Sequence, residues 1–150
     1  MIYTPMTKKA MVLMFQVHQN QLDKGGVPYV FHPWHVAEQM NDEISTTVAL
    51  LHDVVEDGAV SLDDLRKSGY PETVVDAVAL LTRQKGQGYF DYIEKLAPNA
   101  AARRVKLADL AHNQDLTRLE KIDASARKRV EKYRKAQHYL EQFEKNNPIQ

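Results

Sequence analysis

The segment His52-Asp53-Val54-Val55-Glu56-Asp57 limits this chain more than any other. It directly follows an apolar run, Val48-Ala49-Leu50-Leu51, of the kind that marks a buried element. Unpaired buried charge is very costly. A fold that buries the run must therefore give one imidazole and three carboxylates a common purpose. On an α-helix each residue turns by about 100°, so His52, Glu56, Asp53 and Asp57 would fall at about 0°, 40°, 100° and 140°, all on one side. We therefore expect a helix that starts near Ser45, carries the cluster and stops at Gly58 as its C-terminal glycine. Ligand-type groups facing one space point to a bound cation, and a bound metal points to hydrolysis.

The rest of the composition narrows the alternatives. A chain of 150 residues is long enough for one domain with a proper core and too short for two, so residues 1–150 are expected to form one domain. Hydrophobic residues make up 43 %, a globular proportion. Net charge is zero at pH 7, whereas a binder of nucleic acid polymers is usually basic, so no such polymer is expected as a partner. Cysteine is absent, which excludes disulfides and thiolate metal sites and fits a cytoplasmic location. The N-terminus lacks the basic-then-apolar order of a signal peptide, and no apolar stretch approaches 18 residues, so no membrane association is expected. Oligomeric state is not legible, and an oligomer is compatible with everything above.

Strand signals are weak, and periodicity predicts an all-α fold of seven or eight helices. Thr7 can cap a first helix to about Gln21, with Ala10, Met11, Met14, Phe15 and His18 on one face. After the turn at Asp23-Lys24-Gly25-Gly26-Val27-Pro28, Pro33 suits the first turn of a helix reaching about Met40. Ser61-Leu62-Asp63-Asp64 resembles a capping box and opens a short helix to Lys67. Pro71 opens another, with Val74, Val75, Val78 and Leu81 on its apolar face. Arg83 to Gly88 reads as a loop, and helices are expected at about Tyr89–Leu96, Asn99–Leu116 and Asp123–Lys145.

Three segments far apart in sequence carry matched ligand types: His32 before Pro33, the pair His52-Asp53, and Asp109 within Lys106-Leu107-Ala108-Asp109-Leu110-Ala111-His112-Asn113. Two imidazoles and two carboxylates suit Mn²⁺, Fe²⁺ or Zn²⁺ better than Ca²⁺. His18, His35 and His112 fit structural or supporting roles, and His138 an exposed position on the last helix. Arg103-Arg104 reads as phosphate contacts or as an ordinary charged helix face.

These segments resemble the HD superfamily of metal phosphohydrolases. More narrowly, Gly26 to Pro33, Ala49 to Asp57 and Val105 to Asn113 look like the hydrolase domain of RelA/SpoT proteins and of stand-alone small alarmone hydrolases. The likeness spans about residues 10 to 120, and HDxxED between G-x-P-Y-x-x-H-P and K-L-A-D-x-x-x-N is a specific combination. The resemblance implies an all-α fold, one Mn²⁺ and removal of the 3′-pyrophosphate of ppGpp and pppGpp. It implies that His32, His52, Asp53 and Asp109 bind the metal, that Glu56 and Asp57 act on the attacking water, and that Asn113 contacts the nucleotide. In the family an Arg-Lys pair before the G-x-P-Y segment helps hold the base. Here Lys24 is the match for the lysine, in a shorter loop, and no arginine matches its partner. Arg83 and Lys85, in the glycine-containing loop, are candidate cations for substrate phosphates, with a solvated loop as the plain alternative. A synthetase activity would need a further domain, for which 150 residues leave no room. Two rivals stay open: an HD phosphohydrolase acting on a 5′-nucleotide or an adenine alarmone, and a nucleotide-binding sensor with weak catalysis.

Overall fold

A computed structural model describes residues 1–148. Its elements are α1 (Pro5–His18), α2 (Phe31–Glu38), α3 (Glu43–Leu51), α4 (Leu62–Lys67), α5 (Glu72–Leu81), α6 (Tyr89–Leu96), α7 (Ala100–Asn113), a 3₁₀ turn (Leu116–Arg118) and α8 (Ala124–Asn146). Among the described residues there is no β-strand, only a single antiparallel bridge between Leu22 and Pro28. The all-α class and the eight helices agree with the periodicity.

Most helices begin where the chemistry of their first residues says they should. Ser61 and Asp64 form the expected reciprocal cap of α4, Asn99 caps α7, and Asp123 caps α8. The first helix differs. Thr4 accepts the Thr7 backbone N–H at 3.2 Å and Thr7 Oγ1 accepts the Thr4 N–H at 2.7 Å, so Thr7 sits inside the first turn and Pro5 opens it. The helix stops at His18, three residues short of expectation, because the Gln21 backbone turns to bond Tyr29. Ala10, Met14 and His18 are buried, but Phe15 is 54 % exposed. α2 opens at Phe31, two residues before Pro33. α7 ends at Asn113, short of the expected Leu116, which instead starts the 3₁₀ turn.

The centre of the fold is α3. Every residue from Ser45 to Leu51 is buried, and α1, α2, α5 and α7 all pack against it. That explains why Val48-Ala49-Leu50-Leu51 is apolar on every side and not an amphipathic stripe, and why only small hydroxyl residues, Ser45, Thr46 and Thr47, precede it in the buried stretch. Leu50 and Leu51 join Val74, Val78, Ile93, Leu96 and Leu110 in one core cluster. Arg103 is buried in the same region. It donates to the Ala97 carbonyl at 2.6 Å and to Glu144 at 3.2 Å, and its guanidinium lies over Phe143. It ties α7 to α8, and neither sequence reading of Arg103, as phosphate contact or as solvated face, describes it.

Asp42 starts the central helix. Its carboxylate accepts the Ser45 N–H at 2.7 Å and the Ser45 hydroxyl at 2.6 Å, and Arg104 donates to it at 2.8 Å. Burial works against the charged form, but the Ser45 bonds and Arg104 outweigh it and hold the carboxyl below its ordinary pKa. A carboxyl depressed on folding contributes stability above its unfolded pKa, and that contribution is lost as pH falls through the folded value. Asp42→Ala should therefore cost about 1–2 kcal/mol in urea unfolding at pH 7. The difference from wild type should shrink at pH 3. An equal gap at both pH values would assign the effect to packing.

Candidate metal centre and its two cavities

Three buried ligand-type side chains meet where α2, α3 and α7 converge. Donor atoms of His32, His52 and Asp109 all lie within 4.8 Å of one another, a cluster that could bind a metal. His32 sits in the first turn of α2, His52 caps the C-terminus of α3, and Asp109 lies near the end of α7. The rings of His32 and His52 are each 3 % exposed.

The hydrogen bonds fix how these groups face. His52 Nδ1 donates to the Ala49 carbonyl at 2.5 Å, which leaves Nε2 as the atom that looks inward. Nε2 is buried and has no hydrogen-bond partner: Asp53 Oδ2 at 3.2 Å is close but misaligned, and Asp109 Oδ1 is 3.7 Å away. A buried imidazole nitrogen left unpaired between two carboxylates, with its other nitrogen tied to a backbone carbonyl, is the arrangement expected of a metal ligand. His32 Nε2 lies 2.8 Å from Asp109 Oδ1, and its Nδ1 lies 2.7 Å from His112 Nδ1. His112 in turn stacks on His35, with ring centroids 4.0 Å apart. Burial and the neighbouring Arg118 push His112 down to about 4, so it stays neutral at pH 7 beside His32.

The charges around the cluster are arranged to hold a cation. Burial disfavours a protonated His52, yet the adjacent carboxylates of Asp53 and Asp109 more than compensate and raise its pKa. Asp109 is desolvated too, but Lys106, donating at 2.8 Å, and the His32 bond keep it ionised well below its ordinary range. Asn113 Nδ2 also donates to Asp109 Oδ1, at 3.0 Å. Asp53 stands beside His52, and the Tyr29 hydroxyl donates to its Oδ2. The donor set therefore fits a borderline divalent ion such as Mn²⁺, Fe²⁺ or Zn²⁺.

The acidic segment does not form the helix its spacing suggested. α3 ends at Leu51, His52 caps it, and residues 53–57 run on as successive turns that close at Gly58, whose φ is +78°. The helical projection that put all four groups on one face therefore fails. The reason is local: the His52 ring takes the Ala49 carbonyl, and the Val54 N–H reaches back only to Leu51. Glu56 and Asp57 nevertheless line a cavity of about 440 Å³ with Asp53, Tyr29, His18 and Gln21. Burial and the nearby Asp53 charge raise the Glu56 pKa. Asp57 accepts a bond from Gln21 Nε2 at 3.0 Å.

Tyr29 also walls a second cavity, of about 280 Å³, which is lined by Lys24, Asn113, Arg118, Arg129 and Tyr133 among others. Lys24 and Asn113, both expected to face a nucleotide, thus share one space. Arg83 and Lys85 do not line it. Arg83 donates to the Gln87 carbonyl at 3.0 Å and lies over Tyr89, while Lys85 is exposed in the loop. Sequence reasoning missed Lys106, Arg118, Arg129, Lys132 and Tyr133. Lys106 was within reach, since residues three apart on a helix are neighbours. Lys132 sits over Tyr89 at 4.5 Å, and burial together with Arg83, Lys106, Lys24 and Arg129 lowers its pKa. Lys24, Arg83, Lys106 and Arg129 thus lie near enough to Lys132 to act on its charge, and Arg118 lines the same cavity as Lys24 and Arg129.

No protein-family model matches the chain. It is 37 % identical over 123 residues to a GTP pyrophosphokinase of Myxococcus xanthus, covering 71 % of this chain and 16 % of that enzyme. It is 29 % identical over 119 residues to a probable guanosine-3′,5′-bis(diphosphate) 3′-pyrophosphohydrolase of Synechocystis, covering 70 % of this chain and 16 % of that protein. The chain spans about a sixth of the length of the curated relatives it matches. A solved structure described as a metazoan orthologue of SpoT that hydrolyses ppGpp superimposes with a TM-score of 0.69, covering 100 % of this chain and 99 % of that one at 23 % identity. The two share a fold. The sequence relatives are enzymes of alarmone metabolism named for synthesis in one case and for hydrolysis in the other, and the stretch in common with this chain is one segment of each.

Proposed function

We propose that the chain is a metal-dependent nucleotide phosphohydrolase that removes the 3′-pyrophosphate of ppGpp and pppGpp, giving GDP or GTP and pyrophosphate. The observation that carries this reading is the unpaired, buried Nε2 of His52 among His32, Asp53 and Asp109, with two further carboxylates on an adjoining cavity. A binding module has no use for spare carboxylates beside a cation site, whereas hydrolysis needs a proton acceptor there.

In this reading His32, His52, Asp53 and Asp109 hold one Mn²⁺, with Fe²⁺ or Zn²⁺ as substitutes. The ion's contribution is to acidify water and to draw charge from the phosphorus under attack. Tyr29 holds the Asp53 carboxylate in place, and Lys106 does the same for Asp109. Glu56, at the edge of the cavity that Asp53 also lines, takes the proton from the attacking water. A raised pKa suits a group that must accept a proton and then give it up. Asp57, steered by Gln21, orients that water. Lys24 and Asn113 face the nucleotide across the second cavity, and the cations Arg129 and Lys132 offset the charge of its phosphates.

The test is kcat/KM under Mn²⁺ for ppGpp, for its adenine counterpart and for simple 5′-nucleotides. We expect pyrophosphate release from ppGpp to dominate. Inorganic phosphate from 5′-nucleotides, with no pyrophosphate from either alarmone, would leave a general nucleotidase. Tight nucleotide binding with no turnover would leave a sensor.

A further inference from the structure

Arg118 belongs to none of the segments that carry the chemistry, yet it joins them. It comes from the 3₁₀ turn after α7, and its ion-pair partner Asp23 lies 95 residues earlier in the chain. The pair is 3.1 Å long and mostly buried, with the side chains 19 % and 11 % exposed. The same guanidinium donates to the His112 carbonyl at 3.0 Å and to Asn113 Oδ1 at 3.1 Å. Asp23 turns its other oxygen to the loop, accepting the Gly25 N–H at 2.8 Å and the Val27 N–H at 2.9 Å. One ion pair therefore fixes the 22–27 loop against the end of α7.

The approach is so close that only glycine is tolerated at residue 25. A Cβ there would stand 1.7 Å from the Arg118 carbonyl oxygen and 2.8 Å from its carbonyl carbon, both backbone atoms that cannot swing aside. The close contact is what brings Arg118 into the wall of the 280 Å³ cavity, beside Leu22, Lys24, Leu116 and Tyr133. Three of the five N–H donors of a guanidinium are used in the bonds above. The rest of a flat, always-charged group remains for the cavity. The leucines Leu22 and Leu116 and the Tyr133 phenol make apolar walls for a heteroaromatic ring, with the flat Arg118 guanidinium at its edge. Its free donors match the O6 and N7 acceptors of guanine. Adenine places an amino donor at the same edge.

Resting on the nucleotide reading above, we propose that Arg118, held by Asp23, selects the substrate's base, and that Gly25 is the residue that lets it stand there. The chain has no arginine in the 22–27 loop itself. Asp23 brings one to that loop from the other side of the cavity.

The test is binding, which needs no turnover. GDP and ADP are titrated calorimetrically into the wild-type protein, Arg118→Leu, Arg118→Lys and Gly25→Ala. Wild type should prefer GDP. Arg118→Leu should weaken GDP by about tenfold, the low end of the discrimination a donor–acceptor base contact provides, and ADP by much less. Arg118→Lys keeps the charge, loses the plane, and should lose the preference with helicity and metal content unchanged. It decides the matter if the leucine variant unfolds. Gly25→Ala should likewise weaken GDP more than ADP. Equal weakening of both nucleotides, or an unchanged preference in Arg118→Lys, would make Arg118 a structural clamp only. A wild type that hydrolyses ppGpp but binds GDP and ADP alike overturns base selection and leaves the proposed reaction standing. A wild type that binds neither nucleotide and hydrolyses no alarmone overturns both.

Discussion

His52→Ala should abolish turnover and lower metal affinity by more than about 100-fold, beyond the 10–100-fold typical of residues that merely support a ligand. The expectation follows from the direction of Nε2, which is buried among carboxylates with nothing else to bond. Metal analysis after equilibration with Mn²⁺ measures it directly, and far-UV circular dichroism checks that the fold is kept. Asp109→Ala should have the same effect on metal, with a larger cost in stability. Its loss strands Lys106, whose side chain is only 12 % exposed, without the carboxylate that compensates it. Leaving a buried charge without its partner costs about 3–5 kcal/mol. His52 is therefore the cleaner probe. A His52→Ala protein with full metal content would remove the proposed centre.

Glu56→Gln is expected to keep its metal and lose about 10²–10⁴-fold in kcat, the usual consequence of removing a general base. The glutamine keeps the size of the side chain and loses its basicity. Asp57→Asn should be the milder change, because Asp57 is held by the Gln21 amide and its proposed role is only to orient. Single-turnover kinetics at saturating Mn²⁺ separate the two. Near-normal turnover in Glu56→Gln together with depleted metal would move Glu56 into the ligand set and require another base.

Much of the fold was legible because its helices are punctuated locally. Ser61, Asn99 and Asp123 each announce a helix start by a side chain that bonds its own backbone, and Tyr89–Leu96 falls where the flanking glycines and apolar spacing put it. The early boundaries slipped where a cap competes with a neighbour. Thr4 and Thr7 are both good caps, and only the Pro5 geometry decides between them. The larger miss is the acidic segment. Spacing alone allows a helix through Asp57, but the His52 ring claims the carbonyl of Ala49 and the chain leaves the helix there. The ligand types at His32, His52 and Asp109 were readable because polar groups inside apolar runs are expensive and must have a reason. Arg118, Arg129 and Lys132 were not readable, since charged residues on polar helices and turns look alike until the fold shows which of them share a cavity.

The burial of α3 from end to end also sets how different parts of the molecule open. Backbone amides exchange with solvent through local openings where packing is thin, and only through global unfolding where an element is enclosed on all sides. His52 sits at the end of the enclosed helix, whereas Asp23, Lys24 and Gly25 belong to a surface loop held by one ion pair and a single bridge. Deuterium should enter the loop long before it enters α3. The proposed metal ligand His52 thus sits on the slow-opening side, and the loop proposed to face the nucleotide on the fast-opening one. If the loop recognises the nucleotide as proposed, substitutions in it should retune recognition with less disturbance of α3 than substitutions at Tyr29 or Asn113, which bond both sides.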